Sequence, residues 1–142
     1  MIVNVSGGNE IWNKEIEKFT RAVMQKLMPR AYTRLYLTIE LEYGLHKNYG
    51  VLGDCEIEIL EERPSDFIIR LEENSTDEEV LITLAHELVH VQQYASGKLK
   101  QYMRGGYRFK NDIYPNEYPY MLRPWEIEAD TMEKDLYDSF IN

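Results

Sequence analysis

The sequence predicts a single domain of the α+β class spanning residues 1–142. Three observations support this prediction. An amphipathic segment comes first, segments of alternating apolar and polar residues follow, and two further helical segments occupy the second half of the chain. The length of 142 residues suits one domain with one core. Because hydrophobic residues make up 44% of the chain, we expect a folded globular protein.

The N-terminal half is predicted to contain a helix and a small sheet. Apolar residues recur mostly at steps of three and four over residues 9–28, and Pro29 ends this helical pattern. Strands are predicted over residues 33–44, 55–60 and 66–73, where β-branched and apolar residues dominate and the first two segments alternate clearly. Since short turns separate the three strands, we expect an antiparallel or mixed sheet.

The central helix is predicted over residues 74–97. Ser75 or Thr76 can cap its N-terminus, with a glutamate three residues later completing a capping box. Gly97 is a plausible C-terminal stop. The apolar residues inside this segment keep helical spacing, so the helix is expected to lie against the core.

The last third of the chain is predicted to contain an irregular segment and a C-terminal helix. Residues 98–122 hold glycine, proline and many tyrosines without clear periodicity. A long irregular segment in a compact domain is often functional, and this one could close over a site as a lid. Pro124 favours the first position of a helix, which is predicted to continue to about residue 140.

Charge and composition restrict the expected partners and location. The formal net charge of −9 opposes binding to nucleic acid or to an anionic membrane. Residues 97–110 hold five Lys or Arg and no acid, and are interpreted as a solvated loop. No apolar run is long enough to span a membrane, and no secretory signal is visible. Cys55, the single cysteine, is interpreted as a buried small hydrophobe on a strand distant from the histidines. We therefore expect a cytoplasmic protein, while the sequence does not indicate its oligomeric state.

The motif "HELVH" predicts half of a zinc site. His86 and His90 lie four residues apart on the central helix, so both imidazoles share one face. Two such histidines can reach one Zn²⁺ at about 2.0–2.1 Å each. Glu87 can accept a proton from a metal-bound water, whose pKa zinc lowers toward neutrality. One catalytic Zn²⁺ per chain is therefore expected.

A catalytic zinc needs a third protein ligand. No histidine follows His90, and His46 lies in a predicted loop between strands, where we interpret it as a surface residue. A carboxylate is therefore expected to complete the site. Asp112 and Glu117 are two minor candidates.

The segment "PWEIEAD" supplies the main candidates for the third ligand. Glu126 and Asp130 are four residues apart and share a helix face, so one could bind metal while the other accepts a proton from a ligating histidine. Glu128 points about 200° away from Glu126 on an ideal helix and is the weaker candidate. Residue spacing alone leaves the choice among the three open.

These motifs carry a resemblance to a known family. "AHELVH" followed by "EIEAD" resembles the gluzincin metallopeptidases, whose pattern is HExxH…ExxxD. The form "ExEAD" is similar to HtpX-type peptidases and to minigluzincins. Residues 66–132 also resemble small, often phage-encoded proteins thought to be metallopeptidases. The resemblance covers about half the chain.

The resemblance implies a zincin-like fold with an active-site helix and a glutamate helix. It implies that His86, His90 and Glu126 bind zinc, that Glu87 is the general base and that Asp130 orients a histidine. The strand at 66–73 would then be the sheet edge that pairs with an extended peptide.

The expected function is zinc-dependent hydrolysis of peptide bonds in a polypeptide substrate. Tyr120 or Arg123 could stabilise the oxyanion of a tetrahedral intermediate. Two alternatives belong to other functional classes. One is a catalytically inactive metal-binding module that interacts with a protein partner, against which the intact Glu87 argues. The other is a SprT-like DNA-associated protease, against which the missing third histidine and the charge of −9 argue.

Overall fold

A computed structural model describes residues Met1–Asn142 and shows an α+β architecture. Four α-helices and seven strands form two sheets and a helical layer. In chain order these elements are β1 (Ile2–Ser6), α1 (Glu10–Leu27), β2 (Tyr36–Glu42), α2 (Leu45–Tyr49), β3 (Gly53–Ile57), β4 (Asp66–Glu72), α3 (Asp77–Ala95), β5 (Leu99–Gln101), β6 (Tyr107–Phe109), β7 (Asp112–Tyr114) and α4 (Pro124–Ile141). The predicted class and the three predicted helices are confirmed.

The larger sheet is mixed, with strand order β1-β2-β4-β3. β1, β2 and β4 run parallel, whereas β3 pairs with β4 antiparallel. Alternation along β2 and β4 buries one face of the sheet: Leu37 pairs with Phe67 and Ile39 with Ile69, and all four side chains are buried. The predicted small mixed sheet is confirmed, and its apolar face forms one side of the main core.

One prediction about this sheet is wrong, and one of its strands was not predicted. β4 (Asp66–Glu72) lies between β2 and β3, so the segment 66–73 is internal and β3 forms the edge. The physical reason is that β3 folds back on β4 as an antiparallel partner and covers the edge that β4 would otherwise present. β1 was not expected, because five residues with one buried side chain, Val3, give little periodicity.

The helices cover the apolar face of the sheet. α1 and α3 pack on the strands, and α4 packs mainly against α3. Thr76 caps α3 by accepting a hydrogen bond from the backbone N–H of Glu79, as the capping pattern predicts. Ala129 of α4, whose small side chain is fully buried, belongs to the main core. None of the helices combines the length and apolarity that a membrane crossing requires.

The segment 98–122 is not irregular as predicted. It forms the three-stranded antiparallel sheet β5-β6-β7 and a 3₁₀ turn at Tyr120–Leu122. Leu99, Phe109 and Trp125 form a small second core beneath this sheet. Strands of three residues are too short to show a period in the sequence, which explains the error. Part of the basic stretch 97–110, namely residues 99–101 and 107–109, therefore lies in strands rather than in a loop.

Candidate metal centre

The packing of α3 against α4 brings "HELVH" and "EIEAD" together. His86 and His90 project from one face of α3, with ring centroids 4.9 Å apart. Glu126 lies in the first turn of α4 and faces both rings. All three residues are buried, which is unusual for ionisable side chains unless they are paired or bind a metal.

One oxygen of Glu126 contacts three other side chains of the site. Its Oε1 lies 3.0 Å from Nε2 of His86 and 3.1 Å from Nε2 of His90. The hydroxyl of Tyr120 donates a hydrogen bond to the same oxygen at 2.7 Å. Two ligand atoms of a tetrahedral zinc lie about 3.3–3.4 Å apart when each bond is about 2.05 Å long. Each nitrogen-to-oxygen distance is therefore a few tenths of an ångström shorter than in such a zinc site, so the Glu126 carboxylate would have to shift to admit the ion.

The charges of these three residues are strongly coupled. Burial alone would lower the pKa of His90, but its contacts with Glu126 and the charge of Glu87 raise that pKa to about 9. The pKa of His86 is raised for the same reasons, again against the effect of burial. Burial would raise the pKa of Glu126, but hydrogen bonds from the two histidines hold it far below its usual range. In this arrangement, protons on the histidines occupy the place that a cation would take.

Glu87 lies beside the histidines but faces a different environment. It is buried, and burial raises its pKa to about 7, although the positive charges of His90 and His86 oppose the shift. Its carboxylate offers an atom within 4.8 Å of ligand atoms of both histidines. A carboxylate whose pKa is near neutrality can both accept and release a proton, which suits a general base.

The outward-facing nitrogens of the two histidines also have partners. Nδ1 of His86 lies 3.3 Å from Asp130 and 3.7 Å from Glu133, while Nδ1 of His90 lies 2.8 Å from Gln93. Asp130, which is predicted to orient a histidine, is therefore next to His86. Glu133 and Gln93 were not predicted. Glu133 follows Glu126 by seven residues and so shares its helix face, a spacing that could have identified it.

The other candidate ligands lie elsewhere. His46 is exposed on α2, and Asp112 and Glu117 are exposed on β7 and in the segment that follows it. Glu128 points away from the histidines, accepting hydrogen bonds from Gln93 and Lys98. Of the carboxylates considered, Glu126 is the one that the structure brings to both histidines.

A cavity of about 310 Å³ opens beside Glu87 and His90. Arg123 lines it, but its guanidinium donates to the backbone carbonyls of Tyr118 and Asn116 at 3.0 Å each, so it is anchored in the wall. Cys55, which is partly buried, also lines the cavity together with His90, although the two residues are far apart in sequence. Burial and the charge of Glu87 raise the pKa of its thiol, so the thiol stays protonated.

Comparisons with known proteins do not identify a family for this chain: no family model, no curated protein and no solved structure matches it. The resemblance to gluzincins therefore stays a prediction based on the two sequence motifs. The function has to be argued from the geometry of the site.

Proposed function

We propose that this chain is a zinc-dependent metallopeptidase with a zincin-like fold. The observation that supports this most is that Oε1 of Glu126 lies within 3.1 Å of Nε2 of both His86 and His90. The Glu87 carboxylate offers an atom within 4.8 Å of ligand atoms of both histidines. Three nitrogen and oxygen donors with one side left open are the arrangement of a catalytic rather than a structural zinc. A structural site more often uses several cysteines, and this chain has one.

Zinc, when bound, acidifies a water molecule and polarises a carbonyl group. The protein residues supply the remaining chemistry. Glu87 accepts the proton of the attacking water at its carboxylate, and it then delivers that proton to the amine that leaves. Its pKa of about 7 suits both transfers near neutral pH. Asp130 holds the ring of His86 through Nδ1.

Tyr120 is the best-placed residue to stabilise an oxyanion. Its hydroxyl donates a hydrogen bond to Glu126, while 57% of the residue's surface is exposed at the cleft. Burial of the hydroxyl end and the bond to Glu126 raise the phenol pKa, so the group remains a hydrogen-bond donor at neutral pH. Arg123 is less suited, because two backbone carbonyls occupy its guanidinium.

The shape of the cleft favours a polypeptide substrate. Glu87 lies between the cavity of about 310 Å³ and a second, shallower depression on the side of His86. Val51 and Gly53, at the start of β3, line both, and β3 has a free edge because β4 covers only its other side. An extended peptide could pair with this edge and present side chains to both depressions.

The test is the variant Glu87→Gln, which keeps the shape of the side chain and removes the base. The wild-type chain should bind one zinc ion and cleave an unfolded, fluorescently labelled protein. The variant should bind zinc equally well and lose roughly 10²–10⁴-fold in the rate of cleavage. Zinc content is measured by plasma emission spectrometry on the same samples.

Glu133→Gln and Glu117→Gln are useful comparisons, since the first alters a partner of His86 and the second alters an exposed carboxylate. Full hydrolysis by zinc-loaded Glu87→Gln would contradict the proposed role of Glu87. A wild-type chain that binds zinc but cleaves none of a broad peptide mixture would support the metal-binding interaction module instead.

A further inference from the structure

Gln93 is the centre of a hydrogen-bond chain that leads from His90 to the second sheet. Its side chain is fully buried. Its Oε1 lies 2.8 Å from Nδ1 of His90, and its Nε2 lies 3.0 Å from the carbonyl oxygen of Trp125 and 2.9 Å from Oε1 of Glu128. The other oxygen of Glu128 accepts a hydrogen bond from Lys98, which immediately precedes β5. The chain therefore joins α3, α4 and the start of β5.

The chemistry of these partners fixes the orientation of the amide and the proton on the imidazole. A backbone carbonyl and a carboxylate can only accept hydrogen bonds, so the NH₂ group of Gln93 must face Trp125 and Glu128. Its carbonyl oxygen must then face His90. Since that oxygen can also only accept, Nδ1 of His90 must carry a proton. The nitrogen left to bind a metal is Nε2, which points at Glu126.

We propose that Gln93 is a positioning residue that fixes the ring of His90 and makes Nε2 its metal-binding nitrogen. Glu128, with Lys98 behind it, holds the amide of Gln93 in the required orientation. The inference rests on the proposed function only in requiring zinc at this centre. It also gives Glu128, the second glutamate of "EIEAD", a role that its position away from the zinc would not suggest.

The expected effect follows from burial. Without the Gln93 oxygen, the Nδ1 proton of His90 would face an apolar interior with no acceptor, which is costly for a buried donor. The ring would lose its single orientation, and zinc binding would have to restore it. Partners of this kind typically contribute about 10–100-fold to metal affinity.

The first test compares Gln93→Leu with Gln92→Leu, its neighbour on the same helix, whose side chain is only partly buried. Zinc affinity is measured by competition with a chromophoric chelator. Gln93→Leu should bind zinc about 10–100-fold more weakly, whereas Gln92→Leu should match the wild type.

Nuclear magnetic resonance of the zinc-loaded protein gives a second readout that does not depend on activity. The chain has three histidines, so their ¹⁵N signals can be assigned, and exposed His46 provides an internal reference. In the wild type the Nδ1 proton of His90 should be protected from exchange with water. In Gln93→Leu that proton should exchange fast enough to disappear.

A pair swap, in which residues 93 and 128 exchange their Gln and Glu side chains, tests the hydrogen bonds of Gln93 separately from its packing. The test is possible because Gln and Glu have nearly the same shape. Gln93→Glu alone places two carboxylates against each other at Glu128 and should weaken zinc binding. Combining Gln93→Glu with Glu128→Gln leaves the net charge unchanged and lets the new amide at position 128 donate to the new carboxylate. The double variant should recover part of the zinc affinity that Gln93→Glu loses, because the Trp125 carbonyl oxygen still faces an oxygen of residue 93.

Wild-type zinc affinity and a protected His90 proton in a folded Gln93→Leu would overturn the inference. If Gln93→Leu does not fold, the pair swap decides, and a double variant no better than Gln93→Glu alone would count against the inference. A wild-type chain that binds zinc but does not hydrolyse peptides would overturn the proposed function and leave the role of Gln93 in place. A wild-type chain that binds no zinc would overturn both.

Discussion

At the scale of single residues, the centre depends on Glu126. Its Oε1 accepts hydrogen bonds from His86, His90 and Tyr120 within 3.1 Å, so one carboxylate oxygen of α4 contacts donors from α3 and from the 3₁₀ turn. The same contacts show why such a residue is tolerated in the interior. A buried carboxylate is stable when several donors or a cation compensate its lost hydration.

We expect Glu126→Ala to abolish most of the zinc affinity, because only two ligand side chains remain. The loss should exceed the roughly 10–100-fold that partners outside the coordination shell contribute. Isothermal titration calorimetry with zinc measures it. Glu117→Ala is the matched control, since it removes an exposed carboxylate from the neighbouring segment. Tight zinc binding by Glu126→Ala would show that another carboxylate, such as Asp130 or Glu133, is the third ligand.

At the scale of elements, Glu72 joins three segments at the end of β4. Its carboxylate accepts hydrogen bonds from the backbone N–H groups of Gly44, His46 and Asn74. These contacts tie the start of α2 and the turn before α3 to the sheet. The bonds to His46 and Asn74 lower the pKa of Glu72 despite the opposing effect of desolvation.

This lowered pKa gives a pH dependence with a definite sign. A carboxylate whose pKa is lower in the folded than in the unfolded state stabilises the fold above its unfolded pKa, near 4.5. That contribution is lost as the pH falls through the folded value. Glu72→Gln, which resembles the protonated acid, should therefore melt at a lower temperature than the wild type at pH 7. The two melting temperatures should converge in acid.

Thermal melts of both metal-free proteins between pH 7 and pH 2.5 test this expectation. Glu73→Gln is the control, because it changes the adjacent carboxylate, whose side chain does not take part in these three bonds. A difference between wild type and Glu72→Gln that stays constant down to pH 2.5 would show that the carboxylate charge is not responsible.

The elements also show what local sequence patterns can and cannot predict. The pair His86 and His90 was predictable because its geometry depends on one helical turn. The meeting of Glu126 with both histidines depends on how α4 packs on α3, which spacing alone did not determine. The edge position of β3 depends on strand order, and the sheet β5-β6-β7 on hairpins of three-residue strands, neither of which leaves a periodic signal. The role of Gln93 could not be predicted from the sequence, because it depends on contacts with Trp125 and Glu128 that form only in the folded protein.

At the scale of the whole molecule, the candidate metal centre lies where its parts meet. α3 belongs to the main core with the large sheet, whereas Trp125 at the start of α4 packs with β5 and β6 in the smaller core. His90 and Glu126 therefore lie where the two regions meet, as does Tyr94, which packs against both cores. A ligand bound between them would stabilise the native arrangement as a unit, because the unfolded chain does not hold these donors together.

Zinc should therefore raise the melting temperature of the metal-free protein. At a free zinc concentration of 100 times the dissociation constant, linkage predicts a gain of about 2.7 kcal/mol, provided that zinc does not bind the unfolded chain. For a chain of this size, that gain corresponds to a shift of roughly 5–10 °C. Differential scanning fluorimetry with buffered zinc measures the shift.

Mg²⁺ should have no such effect, because it prefers oxygen ligands in an octahedral shell to two imidazoles. Glu126→Ala should lose most of the shift, and a variant that keeps all of it would mean that zinc stabilises the protein from a different site.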